Sequence, residues 1–530
     1  MSVTQPKPFR LFLLLLGIIA FAGVWLIKIT TPNGMGLTDD AISYIAAARA
    51  LLNGQGFTRI WLASRIKPIT HWPPLFSATI AAAGMVTHRD PARAARFVNA
   101  LLFGGNAFLL GLLGWKMTRR YTGGLLLAVL FLFNPMLLTR HVYALSEPLY
   151  IFFTLLSLLA LAWGLEKESS NRRAILLAGI FSGLAYLTRY AALSLLATLS
   201  LLLLLFPRSW KERFRALGLY WAGTLPWVLS WMLRNEIVGG SATNRALQWH
   251  PPSIETLREG TYTFLRFIVP FPKLQLSLIK HPLWMYALLG ALGAGIIGWV
   301  LLHGIRLFWK MKDAPRPNLL AYASALYFVV YMGALLVSIS LFDAATPLND
   351  RILSPMFVSL LTLLVCAAFP RADETGYPQT GATSPRNGIR FPLRALAVFF
   401  LSALLLYLPS TERQTVQQFQ ESAPGFASWR WQNSEVMALL RELPEGTLIY
   451  TNQPPAVYFW TNHPAMPFFP EDLSQAEDIH EQVLDGKAVV ALWNTNDIKA
   501  SRYDEFLKIL LDGLPARQKT GLGDLYGTLP

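Results

Sequence analysis

The chain has 530 residues, 53% of them hydrophobic, with a mean hydropathy of +0.39 and a formal charge of +15. This length holds many apolar runs of about 20 residues, the number needed to cross a bilayer core, so the chain reads as an integral membrane protein. One cysteine, Cys366, excludes an intramolecular disulfide, and the charge distribution excludes nucleic acid as the partner. From Ser410 onward there are 9 basic and 16 acidic residues, leaving 37 basic against 15 acidic before it. The positive charge therefore belongs to the membrane part, where cytoplasmic loops collect Lys and Arg.

The first apolar run, Phe9 to Ile29, follows Lys7 and Arg10 but is too long for a signal-peptide core. Ile27-Lys28-Ile29-Thr30 is not a small-residue cleavage site, so the run reads as a retained anchor. Further spans fall near 94 to 115, 121 to 139, 147 to 165, 173 to 188, 190 to 206, 215 to 233, 282 to 305, 318 to 341, 351 to 369 and 392 to 409, about eleven in all. With a cytoplasmic N-terminus, the inside loops become Lys116 to Arg120, Glu166 to Arg173, Pro207 to Arg215, Arg306 to Arg316 and Arg371 to Arg390. Each carries at least three Lys or Arg, as the positive-inside rule expects. Pro73 to Thr87 is apolar but short, and counting it as a span would invert every later loop. It reads as a juxtamembrane or re-entrant piece. Residues 371 to 390 read as a flexible cytoplasmic loop.

After about residue 410 the pattern changes. Ser434 to Leu443 and Tyr503 to Leu511 read as amphipathic helices, and Thr447 to Tyr450 and Ala488 to Leu492 as short buried strands. The predicted architecture is an all-α polytopic membrane unit over 1–409 and a small soluble α/β domain over 410–530. The expected location is the cell membrane, and loop charge puts this domain on its extracytoplasmic side.

Candidate chemistry gathers on the same outer face. Thr38-Asp39-Asp40 starts a helix that lies along the membrane, and Thr38 or Asp39 can cap it. Capping needs one acid, which leaves the other as a candidate general base. The first outer loop, 31 to 92, carries Arg49, Arg59, Arg65, Lys67 and Arg89, with Arg93 just past its end, where such charge is disfavoured. An anionic ligand or lipid head groups would account for them. Ser146-Glu147-Pro148 opens a span, where Glu147 is either a helix-terminal acid or part of a site. Arg189-Tyr190 sits between two closely spaced runs, and an arginine there needs a carboxylate such as Glu147 or a ligand phosphate. Arg234-Asn235 and Asn349-Asp350-Arg351 stand at span ends in the same way, either snorkelling or binding phosphate. The aromatic residues of the 234 to 281 loop, Trp249, His250, Tyr262, Phe264, Phe267 and Phe271, read as interfacial. The eight histidines show no zinc-binding spacing. A divalent cation on Asp39, Asp40 and Glu147 is the one metal arrangement left open.

In order along the chain stand Asp39-Asp40 with Tyr44, Leu52-Asn53-Gly54-Gln55-Gly56, Pro73-Pro74-Leu75, Ala94-Ala95-Arg96 with Asn99, Ser146-Glu147-Pro148-Leu149, Gly183 to Tyr190, Trp231 to Asn235 and Asp350-Arg351-Ile352-Leu353-Ser354-Pro355. This series resembles the GT-C polytopic membrane glycosyltransferases, particularly the bacterial protein mannosyltransferase and aminoarabinose transferase group, over roughly residues 10 to 410. The resemblance implies transfer of one sugar from a polyprenyl-phosphate donor to a glycan, lipid or protein acceptor on the outer face, usually with inversion. It implies that Asp39 or Asp40 is the base and that basic residues, Arg189 and Arg351 among them, hold the carrier phosphate. Many relatives have a lysine before the paired prolines. Here His71-Trp72 stands there, leaving Lys67, Arg65 or His71 for that role. A transporter or flippase of lipid-linked sugars is the competing reading.

Overall fold

The structure is a computed structural model, described here over residues 7–63, 67–166, 171–207, 209–243, 247–269, 271–309, 317–370, 387–493, 502–520 and 523–527. Arg65 and most of the 371 to 390 loop lie outside the described residues. Helix α1 (Lys7–Thr30) leads into α2 (Asp39–Leu52), a hairpin of β1 (Thr58–Arg59) and β2 (Lys67–Pro68), and α3 (Leu75–Thr87). Then come α4 (Pro91–Thr118), α5 (Tyr121–Leu132), α6 (Pro135–Val142), α7 (Glu147–Gly164), α8 (Arg172–Thr188), α9 (Ala192–Leu205) and α10 (Trp210–Gly239). They are followed by α11 (Ile254–Ile268), α12 (Pro272–Lys280), α13 (Pro282–Phe308), α14 (Leu319–Leu341), α15 (Asp350–Ala368) and α16 (Asn387–Glu421).

Among the described residues, seven helices are long and apolar enough to cross a membrane, or eight if the bent pair α5 and α6 counts as one span. The eleven runs expected from sequence include α8, α9 and α10, which fall outside this set. The first two have only 17 and 14 residues, and the charge-free stretch of α10 is made less apolar by Gly218, Gly223, Thr224, Pro226, Ser230 and its tryptophans. These three still pack tightly in the bundle. Gly179 of α8 and Gly223 of α10 let the backbones meet, and Thr224 Oγ1 donates to Gly179 O at 3.0 Å. The apolar run after Pro73 is α3, which lies alongside α2: Phe76 meets the Tyr44 ring edge-on, and Leu52 lies near Gly84.

The ends of the bundle separate cleanly. At one end Lys116 and Arg119 pair with Glu166 at 2.8 and 2.7 Å, and Asn318 Nδ2 donates to Met117 O. The other end carries the 31–90 loop and the tail. There Asn33 Nδ2 donates to Gln420 O and Gln420 Nε2 donates to Ile29 O, at 2.9 and 3.0 Å.

Residue 410 lies inside α16, so the chain leaves the helical bundle only after Glu421. The tail continues as α17 (Trp429–Gln432), α18 (Glu435–Arg441), β3 (Leu448–Thr451), α19 (Pro454–Thr461), β4 (Met466–Pro467) and α20 (Leu473–Leu484). It ends with β5 (Ala488–Trp493), α21 (Tyr503–Leu511), β6 (Ala516–Lys519) and β7 (Gly523–Tyr526). The strands form one mixed sheet in the order β4-β3-β5-β7-β6. Every residue of β5 is buried. Val489 and Ala491 pack towards α18 and α19, and Val490 and Leu492 towards α20 and α21, as the period of two along a strand requires.

A three-stranded junction ties this tail to the first loop. Gly36 exchanges backbone hydrogen bonds with Val142 and Ala144 at 3.0 and 3.1 Å, while Leu37 does so with Pro424 and Phe426 at 3.2 and 2.9 Å. A second contact joins Ala465 to Trp61 and Ala63.

Candidate active site

Helix α2 starts at the junction, and Thr38 is its cap, with Oγ1 accepting from Ala41 N at 3.3 Å. Neither aspartate caps the helix. Asp39 is exposed, whereas Asp40 turns towards the bundle. The following residues, Ala41 to Ala48, are buried, so packing fixes the helix that presents both acids.

Three further elements meet Asp40. Helix α15 is capped by Asn349, whose Oδ1 accepts from Arg351 N and Ile352 N at 3.1 and 3.2 Å, which sets Arg351 in the first turn. Arg351 Nη2 binds Asp40 Oδ2 at 2.6 Å, and its Nε donates to Glu147 Oε1 at 2.5 Å. Arg189, at the end of α8, binds the same Glu147 Oε1 through Nη1 at 2.7 Å and also donates to Ser146 Oγ at 3.1 Å. The side chains of Glu147, Arg189, Arg351 and Asp40 are 1, 15, 21 and 28% exposed, so the cluster grades from a buried acid to an accessible one. Beside it, Asp350 pairs with Arg140 at 3.3 Å.

Glu147 thus holds two guanidinium groups, which a lone buried carboxylate needs and which identifies the partner of Arg189. Its second oxygen, Oε2, is buried without a hydrogen bond among the described residues. The Tyr44 hydroxyl lies 3.2 Å from Ser146 Oγ. Burial, reinforced by Asp40, pushes the phenol of Tyr44 up to about 12, so it remains the neutral partner of Ser146 at neutral pH.

The basic residues of the first loop gather elsewhere. Lys67 is exposed on β2, directly opposite Arg59 on β1. Arg59 Nη2 lies 3.4 Å from both ring nitrogens of His71. Arg234 and Asn235 hold the loop backbone: Arg234 donates to Ile69 O and Phe57 O, and Asn235 Nδ2 to Thr70 O at 3.1 Å. Tyr190 OH also donates to Thr70 O, at 3.2 Å. These bonds tie the backbone just before His71 to the end of α10 and to Tyr190, the residue after Arg189. Of the 234 to 281 aromatic residues expected at the interface, Phe264 and Phe267 instead pack inside the bundle on Phe328 and Phe357, while Trp249 is exposed.

Two contacts were not legible in the sequence: Ser146 linking Tyr44 to Arg189, and Arg59 meeting His71. The only signal for Arg59 was its excess charge in an outer loop. A divalent cation on Asp39, Asp40 and Glu147 does not fit. Asp40 and Glu147 direct oxygens at guanidinium groups, and no group of three His, Cys, Asp or Glu suits a metal among the described residues.

Residues 60–234, about a third of the chain, match the sequence profile of the dolichyl-phosphate-mannose-protein mannosyltransferase family. The structure is similar to ArnT from Cupriavidus metallidurans bound to undecaprenyl phosphate, at 13% identity over 96% of this chain and 97% of that one, with a TM-score of 0.55. It is similar to the oligosaccharyltransferase of Archaeoglobus fulgidus, at 11% identity over 91 and 68% of the two chains and a TM-score of 0.53. The arabinofuranosyltransferase AftD from Mycobacteria matches at 14% identity over 100% of this chain and 40% of its own, with a TM-score of 0.53. Comparison with curated protein sequences gave no match. A third of the chain thus matches the mannosyltransferase profile, and the whole chain shares its fold with ArnT, the archaeal oligosaccharyltransferase and AftD.

Proposed function

We propose that the protein transfers a single hexose or pentose from a polyprenyl-phosphate donor to an acceptor at the extracytoplasmic membrane face, with inversion. The observation that carries this reading is Arg351 bridging Asp40 to Glu147 beside Arg189. Two fixed guanidinium groups suit a leaving phosphate, and a partly exposed carboxylate next to them suits a proton acceptor. ArnT, of the same fold, binds undecaprenyl phosphate.

In this mechanism the acceptor hydroxyl or amine gives its proton to Asp40 as its lone pair attacks the sugar C1. The bond from C1 to the phosphate oxygen breaks on the opposite side, and the electron pair leaves with polyprenyl phosphate. Arg189 and Arg351 meet the charge that develops there, being oriented before the reaction by Glu147. Asp39 is the alternative base, one residue earlier and more exposed. Glu147 serves as a positioning residue.

The orientation follows loop charge: a cytoplasmic N-terminus, eleven crossings in a cell membrane, and the tail outside. In support, the ends of α8 and α10 nearest the first loop, at Arg189 and Asn235, bind residues at the loop's end of the bundle. The helical bundle, up to the end of α16 at Glu421, forms the transferase unit, and the residues after it form the outer unit. The acceptor is a glycan, lipid or protein.

Mass spectrometry of membrane glycolipids and glycoproteins, with and without the protein, tests this reading. A one-sugar difference on an acceptor, with release of free polyprenyl phosphate, supports it. Movement of intact lipid-linked sugar without release would instead make the protein a transporter.

A further inference from the structure

The four charges of the central cluster balance, two carboxylates against two guanidinium groups. The charges on the neighbouring hairpin do not. Arg59 and Lys67 stand directly opposite each other in an antiparallel pair, where like charges oppose strand pairing. Neither has a carboxylate partner among the described residues. Arg59 is half-buried nonetheless. Its guanidinium lies 5.4 Å from the Trp61 ring and 5.8 Å from the Trp72 ring, and it touches His71. The Trp61 indole N–H is buried with no acceptor among the described residues. A preoriented fork, an opposed ammonium group and an idle indole donor therefore share one place, at a cost in repulsion and desolvation that an anion would offset.

We propose that Arg59, Lys67 and His71, with Trp61, form a second anion-binding subsite that takes a phosphate or carboxylate group of the acceptor. The assignment rests on reading Arg189 and Arg351 as the donor-phosphate site and Asp40 as the base. Under that reading the acceptor must lie on the α2 side of the centre, because its nucleophile gives a proton to Asp40. The hairpin adjoins that side: the Trp72 ring is 6.2 Å from Tyr44, whose hydroxyl meets Ser146 at the edge of the cluster. The acceptor class is thus an anionic glycan or glycolipid, its charge held by the hairpin while its nucleophile reaches Asp40.

The test uses the full chain in lipid nanodiscs. Binding of glucose 1-phosphate, glucuronate and neutral glucose is measured by saturation-transfer NMR, with and without saturating undecaprenyl phosphate. The expected result is binding of either anionic sugar about tenfold or more tighter than glucose, retained when the carrier lipid is bound. Arg59→Gln and Lys67→Gln each weaken it by about tenfold and Arg59→Lys by less, and neither Arg59 variant changes carrier-lipid affinity. Thermal unfolding midpoints check that the variants remain folded. Displacement of the anionic sugar by undecaprenyl phosphate, or weakened carrier binding in Arg59→Gln, would give the patch to the carrier and overturn the proposal. So would equal binding of glucose, or unaltered sugar binding in Arg59→Gln. Separate Arg189→Gln and Arg351→Gln arms read the centre alone: unchanged undecaprenyl phosphate affinity there contradicts the donor-site reading, whatever the hairpin variants do.

Discussion

Arg351 reaches Glu147 across 204 residues of sequence, through a hydrogen bond of 2.5 Å from Nε to Oε1. The same guanidinium binds Asp40 through Nη2. Helices α2, α7 and α15 therefore converge through one side chain, and the planar fork of arginine is what lets a single residue face two acids.

Replacing Glu147 by alanine removes the carboxylate that both arginines share. Breaking a buried ion pair in this way costs about 3 kcal/mol or more, because the remaining charges are left uncompensated. The thermal unfolding midpoint in detergent should fall, and transfer should be lost. Glu147→Gln, which keeps an acceptor oxygen, should recover part of the stability and little of the activity.

Arg351→Lys keeps the charge but replaces the fork with a single ammonium group, which cannot hold Asp40 and Glu147 in the present geometry. The turnover rate should fall by about 10- to 100-fold, as misplacement of catalytic groups does. Turnover equal to wild type would show that the bridge has no part in positioning Asp40.

The tail should influence turnover through Leu37. Gly425 has φ +69°, and a Cβ there would run into the Leu37 carbonyl. Gly425→Ala adds about 1–2 kcal/mol of left-handed strain and pushes on the strand that leads to Asp39 and Asp40. Steady-state kinetics should show a lower kcat with an unchanged KM for the lipid donor. A loss of folded protein in proportion to activity would mean that the junction acts only on stability.

Thr38→Ala should cost about 1 kcal/mol through the lost helix cap, and Thr38→Ser should retain most of it. Thermal unfolding of the two variants checks this, since only the alanine removes the Oγ that binds Ala41 N.

The central residues were legible because burying charge in a membrane-edge protein demands partners. Asp40, Glu147, Arg189 and Arg351 were each conspicuous in the sequence, and the structure brings them within ion-pair distance. Strands β3 and β5 and helix α21 also lie where periodicity placed them. Single-residue backbone pairings such as Gly36 with Tyr143 and Leu37 with Gly425 carry no periodic signal and could not be read. The continuation of α16 past residue 410 was hidden because its last turns are polar and break the hydrophobic pattern while the helix goes on. Arg59 and Lys67 were visible only as charges, since their opposition depends on hairpin register.

Whether Asp40 is the base is decided by mass spectrometry of membranes from cells making the wild-type protein, Asp39→Asn or Asp40→Asn, each at equal folded abundance. A one-sugar mass increment on the acceptor is expected with wild type and with Asp39→Asn, and none with Asp40→Asn. An undiminished increment with Asp40→Asn would contradict it.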